Sequence, residues 1–214
     1  MHIEPRWPVA LAILASLWLL TALQERIRWV PAWANGIAGL VVLAPMVAVA
    51  FGHAKRRWLA IERIITLAFV AFMAVGTLVS VAYLIDVMIH HSTELGGLQL
   101  LASSVGVWIT NVLLFSLLYW QIDRGGPVAR WNGDHRLPDL LFAQQGAPVE
   151  AVPAGWRPAF VDYLYFSFST ATAFSATDTL PLTARTKLSI MLESAISLVT
   201  LVVVGARAIN ILAS

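Results

Sequence analysis

The chain has 214 residues, of which 59% are hydrophobic and only 12% are charged, with a formal net charge of +2 and a mean hydropathy of +0.76. This composition cannot cover a soluble globule with polar side chains, so it excludes that class and indicates an integral membrane protein in contact with the lipid bilayer. The absence of cysteine excludes a disulfide framework and a thiolate metal site. The pI near 9.3 comes from basic loop residues and points to membrane topology rather than to nucleic acid as a partner.

Three apolar segments in the first part of the chain predict three transmembrane helices, over 8–23, 35–51 and 64–89. We expect the first to be a retained helix rather than a cleaved signal peptide, because no small-residue cleavage motif follows it. His90, His91 and Glu94 follow the third helix. Adjacent histidines on a helix diverge, so we interpret this group as an interfacial loop rather than a metal site.

The second half of the chain predicts two further transmembrane helices, over 98–120 and 184–212. Residues 121–159 lie between them and form a polar segment rich in glycine and proline, which predicts a loop with at most a short helix over 139–144. Charged residues do not cluster into a catalytic dyad or a metal set, so an enzyme is not expected. The first three helices lack the regularly spaced arginines of a voltage sensor.

Residues 160–183 do not fit either a loop or a complete span. Their apolar part is too short to cross about 30 Å of hydrocarbon as a helix. It contains five serine and threonine side chains, which are Ser167, Ser169, Thr170, Thr172 and Ser175. A short helix that enters a membrane and turns back is tolerated only where protein or a water-filled cavity shelters its backbone. The segment therefore predicts a re-entrant pore loop.

The order of residues in this loop resembles the signature of the potassium-channel pore module. Residues 170–178 read TATAFSATD and residues 179–183 read TLPLT, where that family has TATTVGYGD followed by xxPxT. Tyr165, Phe166 and Ser167 stand where the family usually has an aromatic pair and a serine. The resemblance covers about residue 108 to the C-terminus and is sharp over 165–183. It implies a homotetramer in which every subunit contributes one loop.

The predicted fold is therefore an all-α integral membrane protein with five transmembrane helices and one re-entrant pore helix. Residues 1–95 form a three-helix peripheral region, and residues 96–214 form a pore-module-like region. The resemblance makes 98–120 the outer helix, 160–183 the pore helix and filter-like turn, and 184–212 the inner helix. The layout also resembles a group of uncharacterised bacterial membrane proteins with four helices ahead of a diverged pore-like end. We therefore expect the bacterial inner membrane as the location.

The filter-like positions implied by the resemblance are Thr172, Ala173, Phe174, Ser175, Ala176 and Thr177. Ser175 and Thr177 replace two glycines, and Ala173 replaces a threonine that lines the innermost ion site of the family. Without glycine, the stacked carbonyl rings that substitute for the hydration shell of potassium are hard to build. We expect weak selectivity among monovalent cations, no other cofactor, and a hydrophobic constriction at Phe174. The alternative is a non-conducting relative of the channel fold that acts as a structural or accessory membrane protein.

Four residues are candidates for support of this turn, namely Phe166, Ser169, Asp178 and Glu193. In the family, the aspartate at the position of Asp178 bonds to a tryptophan and an acidic residue, and we align those positions with Phe166 and Ser169. Because Phe166 cannot donate a hydrogen bond, part of this strut is missing, and Asp178 could instead cap the turn before Pro181. Glu193 lies within a span, where a carboxylate is costly; a serine or threonine of the pore helix would be its partner, or it snorkels to the interface.

Arg207 and Asn210 lie near the end of the last helix, where the inner helices of this family converge into a gate. A ring of arginines there would repel cations. The other interpretation is that Arg207 anchors the helix end by reaching to the interface.

The distribution of lysine and arginine favours a cytoplasmic N-terminus. With 53–63 inside, eleven basic residues lie on that side and three on the other, Arg26, Arg28 and Arg207. This assignment places the pore loop on the cytoplasmic side, inverted relative to potassium channels. Ionotropic glutamate receptors resemble an inverted potassium-channel pore, so the arrangement has a parallel. The other choice keeps the ordinary channel orientation and violates the charge rule.

Labelling of single introduced cysteines tests this orientation. A cysteine introduced by Asn132→Cys should be protected from an impermeant reagent added to intact cells, because the charge rule places 127–157 in the cytoplasm. A reporter fused after Ser214 should be periplasmic. Labelling of Asn132→Cys from outside would reverse the assignment.

Overall fold

The computed structural model describes residues 4–22, 32–50, 56–90, 97–131, 136–176 and 178–212. These residues form eight α-helices, which are α1 (Trp7–Ala22), α2 (Ala32–Ala50), α3 (Arg56–His90), α4 (Gly97–Ile122), α5 (Pro127–Trp131), α6 (Ala143–Gly146), α7 (Phe160–Ala173) and α8 (Ala184–Leu212). The strands β1 (Leu140–Leu141) and β2 (Leu180–Pro181) pair in antiparallel fashion. The predicted all-α class is confirmed for the described residues, since this two-residue pairing is the only sheet that they contain.

Within the described residues, three helical stretches are long and apolar enough to cross a membrane, over Trp58–Asp86, Leu101–Gly125 and Ala184–Ala206. The helices α1 and α2 are apolar but shorter, with 16 and 19 residues. Length and composition therefore indicate a membrane protein. The ends of α1, α2, α4 and α8 lie within three residues of those that the hydropathy pattern predicts.

The loop between α4 and α7 is more ordered than its glycine and proline content predicts. It contains α5, α6 and 3₁₀ turns at Asp123–Gly125 and Val149–Ala151. The short helix predicted over 139–144 is wrong, because Leu140 and Leu141 are extended and the helix α6 begins only at Ala143. The reason is tertiary: the carbonyl of Asp139 accepts a hydrogen bond from the backbone N–H of Leu182 at 2.9 Å, next to the β1–β2 pairing.

The helix α4 is the centre of the fold and packs against α1, α3, α7 and α8. Of the apolar stretch in α4, 61% is buried inside the protein, compared with 28% for that of α8. The side chains of Leu117, Tyr119 and Trp120 are completely buried. One face of α8 therefore lies open, while α4 is enclosed by other helices.

The helix α7 runs antiparallel to the second half of α4. Phe160 packs edge-to-face on Trp120, with ring centroids 6.2 Å apart, and Phe168 packs in the same way on Trp108 at 5.9 Å. The two contacts on α4 are twelve residues apart, which corresponds to about 18 Å along the helix axis. The chain then returns, since β2 pairs with β1 in the loop that follows α4. Residues 160–181 thus enter and leave at the same end of α4.

Five helix termini meet at that end, which we call the polar end: the starts of α1, α3, α7 and α8 and the end of α4. Arg6, just before α1, forms a buried ion pair with Glu62 near the start of α3, with Nε 2.8 Å from Oε1. The guanidinium of Arg185, on the first turn of α8, donates to the carbonyl of Ile122 at the end of α4 at 3.2 Å. The polar end fixes where α7 begins and where the returning chain joins α8.

Candidate functional site

The first turn of α7 is capped by two carboxylates. Asp162 accepts a hydrogen bond from the backbone N–H of Ala159 at 2.8 Å, and Glu4 accepts one from that of Phe160, also at 2.8 Å. The first N–H groups of a helix have no partner within the helix, and the positive end of the helix dipole favours carboxylates. Glu4 is 156 residues away along the chain. The N-terminal segment therefore sets the starting point of α7, a role that the sequence pattern did not indicate.

Glu4 also connects α7 to α4 and α5. Its Oε2 accepts a hydrogen bond from the indole N–H of Trp120 at 3.0 Å and lies 3.6 Å from a guanidinium nitrogen of Arg130. The same guanidinium donates to the carbonyls of Trp120 at 2.7 Å and Asp123 at 3.0 Å. Glu4 is only 2% exposed. Its buried charge is thus offset by a cation that also satisfies the C-terminal carbonyls of α4.

Two aspartates, Asp123 and Asp139, bind side chains of α7 and α8 at the polar end. Asp123 accepts hydrogen bonds from the backbone N–H of Asp139 at 2.9 Å and from the hydroxyl of Tyr163 in α7 at 2.6 Å. Asp139 accepts two bonds from Arg185, both at 2.6 Å, and one from Thr183 at 2.8 Å. Burial by itself raises the pKa of Asp139, but the hydrogen bonds from Arg185 and Thr183 outweigh it and hold this pKa below its usual range. The start of α8 is therefore tied to the end of α4.

The turn that ends α7 has a left-handed residue. Phe174 has φ 54° and ψ 28°, a conformation usually taken by glycine or asparagine at the end of a helix. For a bulky residue this conformation is strained, and strained residues concentrate at functional sites. Ala173, Phe174 and Ser175 are exposed, and Ala176 is half-buried. The hydroxyl of Thr172 donates back to the carbonyl of Phe168 at 2.7 Å, and Thr177 lies outside the described residues.

The carboxylate of Asp178 is held by Tyr165, whose hydroxyl donates to it at 3.1 Å. The two positions aligned with the family's strut do not supply this bond: Phe166 is buried and packs on Tyr119 with ring centroids 4.9 Å apart, and Ser169 is half-buried. The sequence pattern had placed Tyr165 only in an aromatic pair. Its phenol hydroxyl could have indicated this contact, because it is a hydrogen-bond donor on the same short helix.

Glu193 joins three helices, α4, α7 and α8. One carboxyl oxygen accepts a hydrogen bond from the hydroxyl of Tyr119 in α4 at 2.7 Å, and the other contacts the hydroxyl of Ser167 in α7. Its backbone carbonyl accepts a bond from the amide of Asn111 at 3.2 Å. Glu193 is completely buried, and it lies nine residues into α8, about 14 Å from the start of the helix. Its partners are thus hydroxyl and amide groups, not cations.

Ser167 has one hydroxyl hydrogen but two close acceptors, the carbonyl of Val112 at 2.8 Å and the carboxyl group of Glu193. One hydrogen cannot satisfy both. If the side chain at position 193 donated to Ser167, the hydrogen of Ser167 would be left for the carbonyl of Val112. The same side chain would still need to accept the hydrogen bond from Tyr119. A side-chain amide has both capacities.

The remaining candidates can be located only by the helices to which they belong. Arg207 and Asn210 belong to the last turns of α8, but their side chains lie outside the described residues. His90 ends α3, and His91 and Glu94 are outside the described part of the chain.

Within the described residues, no three histidine, aspartate or glutamate side chains are grouped so that they could hold a metal ion. The polar groups presented at the turn after α7 are hydroxyls, backbone carbonyls and one carboxylate. Comparison with known proteins gives no match to a family model, a curated protein or a solved structure.

Substitutions of Glu193 test its role as a junction. We expect Glu193→Gln to melt close to the wild type, because the amide keeps both side-chain contacts. Glu193→Leu should lower stability by about 2–4 kcal/mol, since it leaves Tyr119 and Ser167 without a buried partner. Thermal unfolding in detergent measures both, with Glu150→Leu in the exposed loop as the control. Equal melting of Glu193→Leu and the wild type would contradict the assignment.

Proposed function

We propose that this chain is one subunit of a homotetrameric ion channel of the bacterial inner membrane, with five crossing helices and a pore loop formed by 160–183. The observation that carries the proposal is the path of this segment. It follows α4 for about 18 Å, turns at a strained residue, Phe174, and returns to the end from which it started. A helix that enters and a non-helical segment that leaves on the same side form the architecture of a pore loop.

The exposed turn supports assembly of several copies. Irregular backbone at membrane depth does not face lipid, because its N–H and C=O groups would lose their hydrogen bonds. In a single subunit, Phe174, Ser175 and Asp178 are exposed. A ring of copies around a water-filled axis would cover one side of each turn with protein and present the other side to water. The open face of α8, which includes Leu188, Met191 and Leu198, offers an apolar surface for neighbouring subunits.

The chemistry of the turn supports weak selectivity. The filter-like stretch lacks glycine, and its polar side chains are hydroxyls, which leave a cation partly hydrated. The ring of Phe174 is 43% exposed and is suited to close a narrow pore by excluding water. The same ring favours the second candidate function, a channel-fold relative that does not conduct.

The polar end supports a cytoplasmic location for the start of the loop. Basic residues concentrate there, including Arg6, Arg63, Arg124, Arg130, Arg136, Arg157, Arg185 and Lys187. Under the positive-inside rule this end faces the cytoplasm, and the pore loop then enters from the cytoplasmic side. Several of these arginines bind carboxylates within the fold, such as Arg6 with Glu62 and Arg185 with Asp139.

The assembly can be measured directly. We expect the purified chain to have the mass of four copies in nanodiscs, because one loop cannot enclose a pore. Native mass spectrometry or light scattering corrected for lipid gives the number of copies. A monomer or a dimer would refute the pore.

Flux through liposomes tests conduction. The wild type should pass sodium and potassium at comparable rates, because hydroxyl-lined sites do not strip the hydration shell uniformly. Phe174→Ala should raise the flux by removing the apolar constriction, whereas Val149→Ala, in the exposed loop, should leave it unchanged. Strong preference for potassium would contradict weak selectivity. No flux from either the wild type or Phe174→Ala would favour the non-conducting alternative.

A further inference from the structure

A cavity of about 330 Å³ opens at the polar end, between the start of α3, the end of α4 and the turn into α5. Its charged and polar lining consists of Glu62, Arg63, Gln121 and Arg136. The other lining residues are Leu59, Ala60, Gly125, Pro127, Val128 and Ala129. The cavity is separate from the turn after α7 and has no part in the proposed conduction. Its volume is typical of a site for a small ligand.

Two guanidinium groups, of Arg63 and Arg136, and one carboxylate, of Glu62, line this cavity. The guanidinium group of Arg136 lies close enough to that of Arg63 to repel it. The carboxylate of Glu62 does not neutralise the cavity, because it is already paired with Arg6 at 2.8 Å. Neighbouring guanidinium groups repel each other, and an anion between Arg63 and Arg136 would turn this repulsion into attraction.

Gln121 is a second and independent indication of a ligand. The side chain is 1% exposed, and neither its amide nitrogen nor its carbonyl oxygen has a hydrogen-bond partner within the described part of the chain. Buried polar groups in folded proteins are nearly always paired. The amide N–H of Gln121 can donate a hydrogen bond to a ligand in the cavity. Its carbonyl oxygen can accept one from a hydroxyl group of the ligand or from water.

Two glycines allow the walls to come close together. Gly125 and Gly126 have φ of 80° and 100°, where side chains are strained. A Cβ on Gly125 would lie 2.5 Å from a guanidinium nitrogen of Arg136, and a Cβ on Gly126 would lie 3.1 Å from the carbonyl of Gln121. The guanidinium of Arg136 therefore packs directly against the backbone of Gly125.

We propose that this cavity binds a phosphate-bearing anion, held by the guanidinium groups of Arg63 and Arg136 and by the side-chain amide of Gln121. Planar guanidinium groups match the geometry of phosphate oxygens better than other cations do. The cavity lies where the apolar stretches of α3 and α4 begin and end, at Trp58 and Gly125, which is the level of lipid headgroups. An anionic lipid headgroup and a free phosphate share this chemistry.

The experiment uses the full chain, purified without phosphate in a maltoside detergent. Tryptophan fluorescence reports the melting midpoint during titration with inorganic phosphate at constant ionic strength, and in a parallel titration with phosphatidylglycerol, with phosphatidylcholine as the lipid control. We expect at least one probe to raise the midpoint saturably. Arg63→Gln and Arg136→Gln should each weaken the apparent affinity by about tenfold or more, because each removes a charge-assisted bond. Lys187→Gln, which removes a charge at the same end outside the cavity, should bind like the wild type.

Gln121→Leu separates ligand binding from folding. Without a probe it should melt at or above the wild-type temperature, because it removes an unpaired buried amide. With a probe it should bind more weakly than the wild type. A response to inorganic phosphate identifies a free phosphate as the ligand class, and a response to phosphatidylglycerol alone identifies a lipid headgroup. No stabilisation by either probe, or wild-type affinity in Gln121→Leu and Arg136→Gln, would overturn the proposal even if Arg63→Gln did not fold.

Discussion

Charge neutralisation at the polar end is the interaction on which the rest of the structure depends. Glu4, Asp123 and Asp139 are buried there, and removal of a carboxylate from water is costly unless cations and N–H groups replace the water. Arg130 and Arg185 supply the positive charge, and the backbone N–H groups of Phe160 and Asp139 supply hydrogen bonds. Since these bonds hold both flanks of 160–183, the segment between them can extend along α4 without a continuous helix.

The chemistry of the contacts changes with distance from the polar end. Near the helix termini, carboxylates pair with guanidinium groups, of which those of Arg6 and Arg130 are buried and that of Arg185 is exposed. Deeper in the protein, Glu193 meets only the hydroxyls of Tyr119 and Ser167, and its carbonyl meets an amide. A buried guanidinium at that depth would add a second desolvation cost, whereas a hydroxyl adds little. The contacts at Glu193 therefore fix how α4, α7 and α8 pack without a second charge.

The sequence predicted the helices well because hydropathy is a local property. The predicted spans begin and end within a few residues of α1, α2, α4 and α8, and the exception, α3, begins eight residues earlier than predicted. The contacts between distant segments could not be predicted in this way. Glu4 and Phe160 are 156 residues apart, and nothing in either local sequence identifies the other. The conformation of Phe174 and the unpaired amide of Gln121 are likewise set by packing, which hydropathy does not report.

The capping of α7 by Glu4 has a consequence for the order of synthesis. Glu4 leaves the ribosome well before Phe160, whose N–H group it caps. At typical rates of translation, the intervening 156 residues take on the order of ten seconds or more. During that time the carboxylate of Glu4 has not yet met the helix that it caps. The hydrogen bond between Glu4 and the start of α7 can therefore form only after Phe160 has been synthesised.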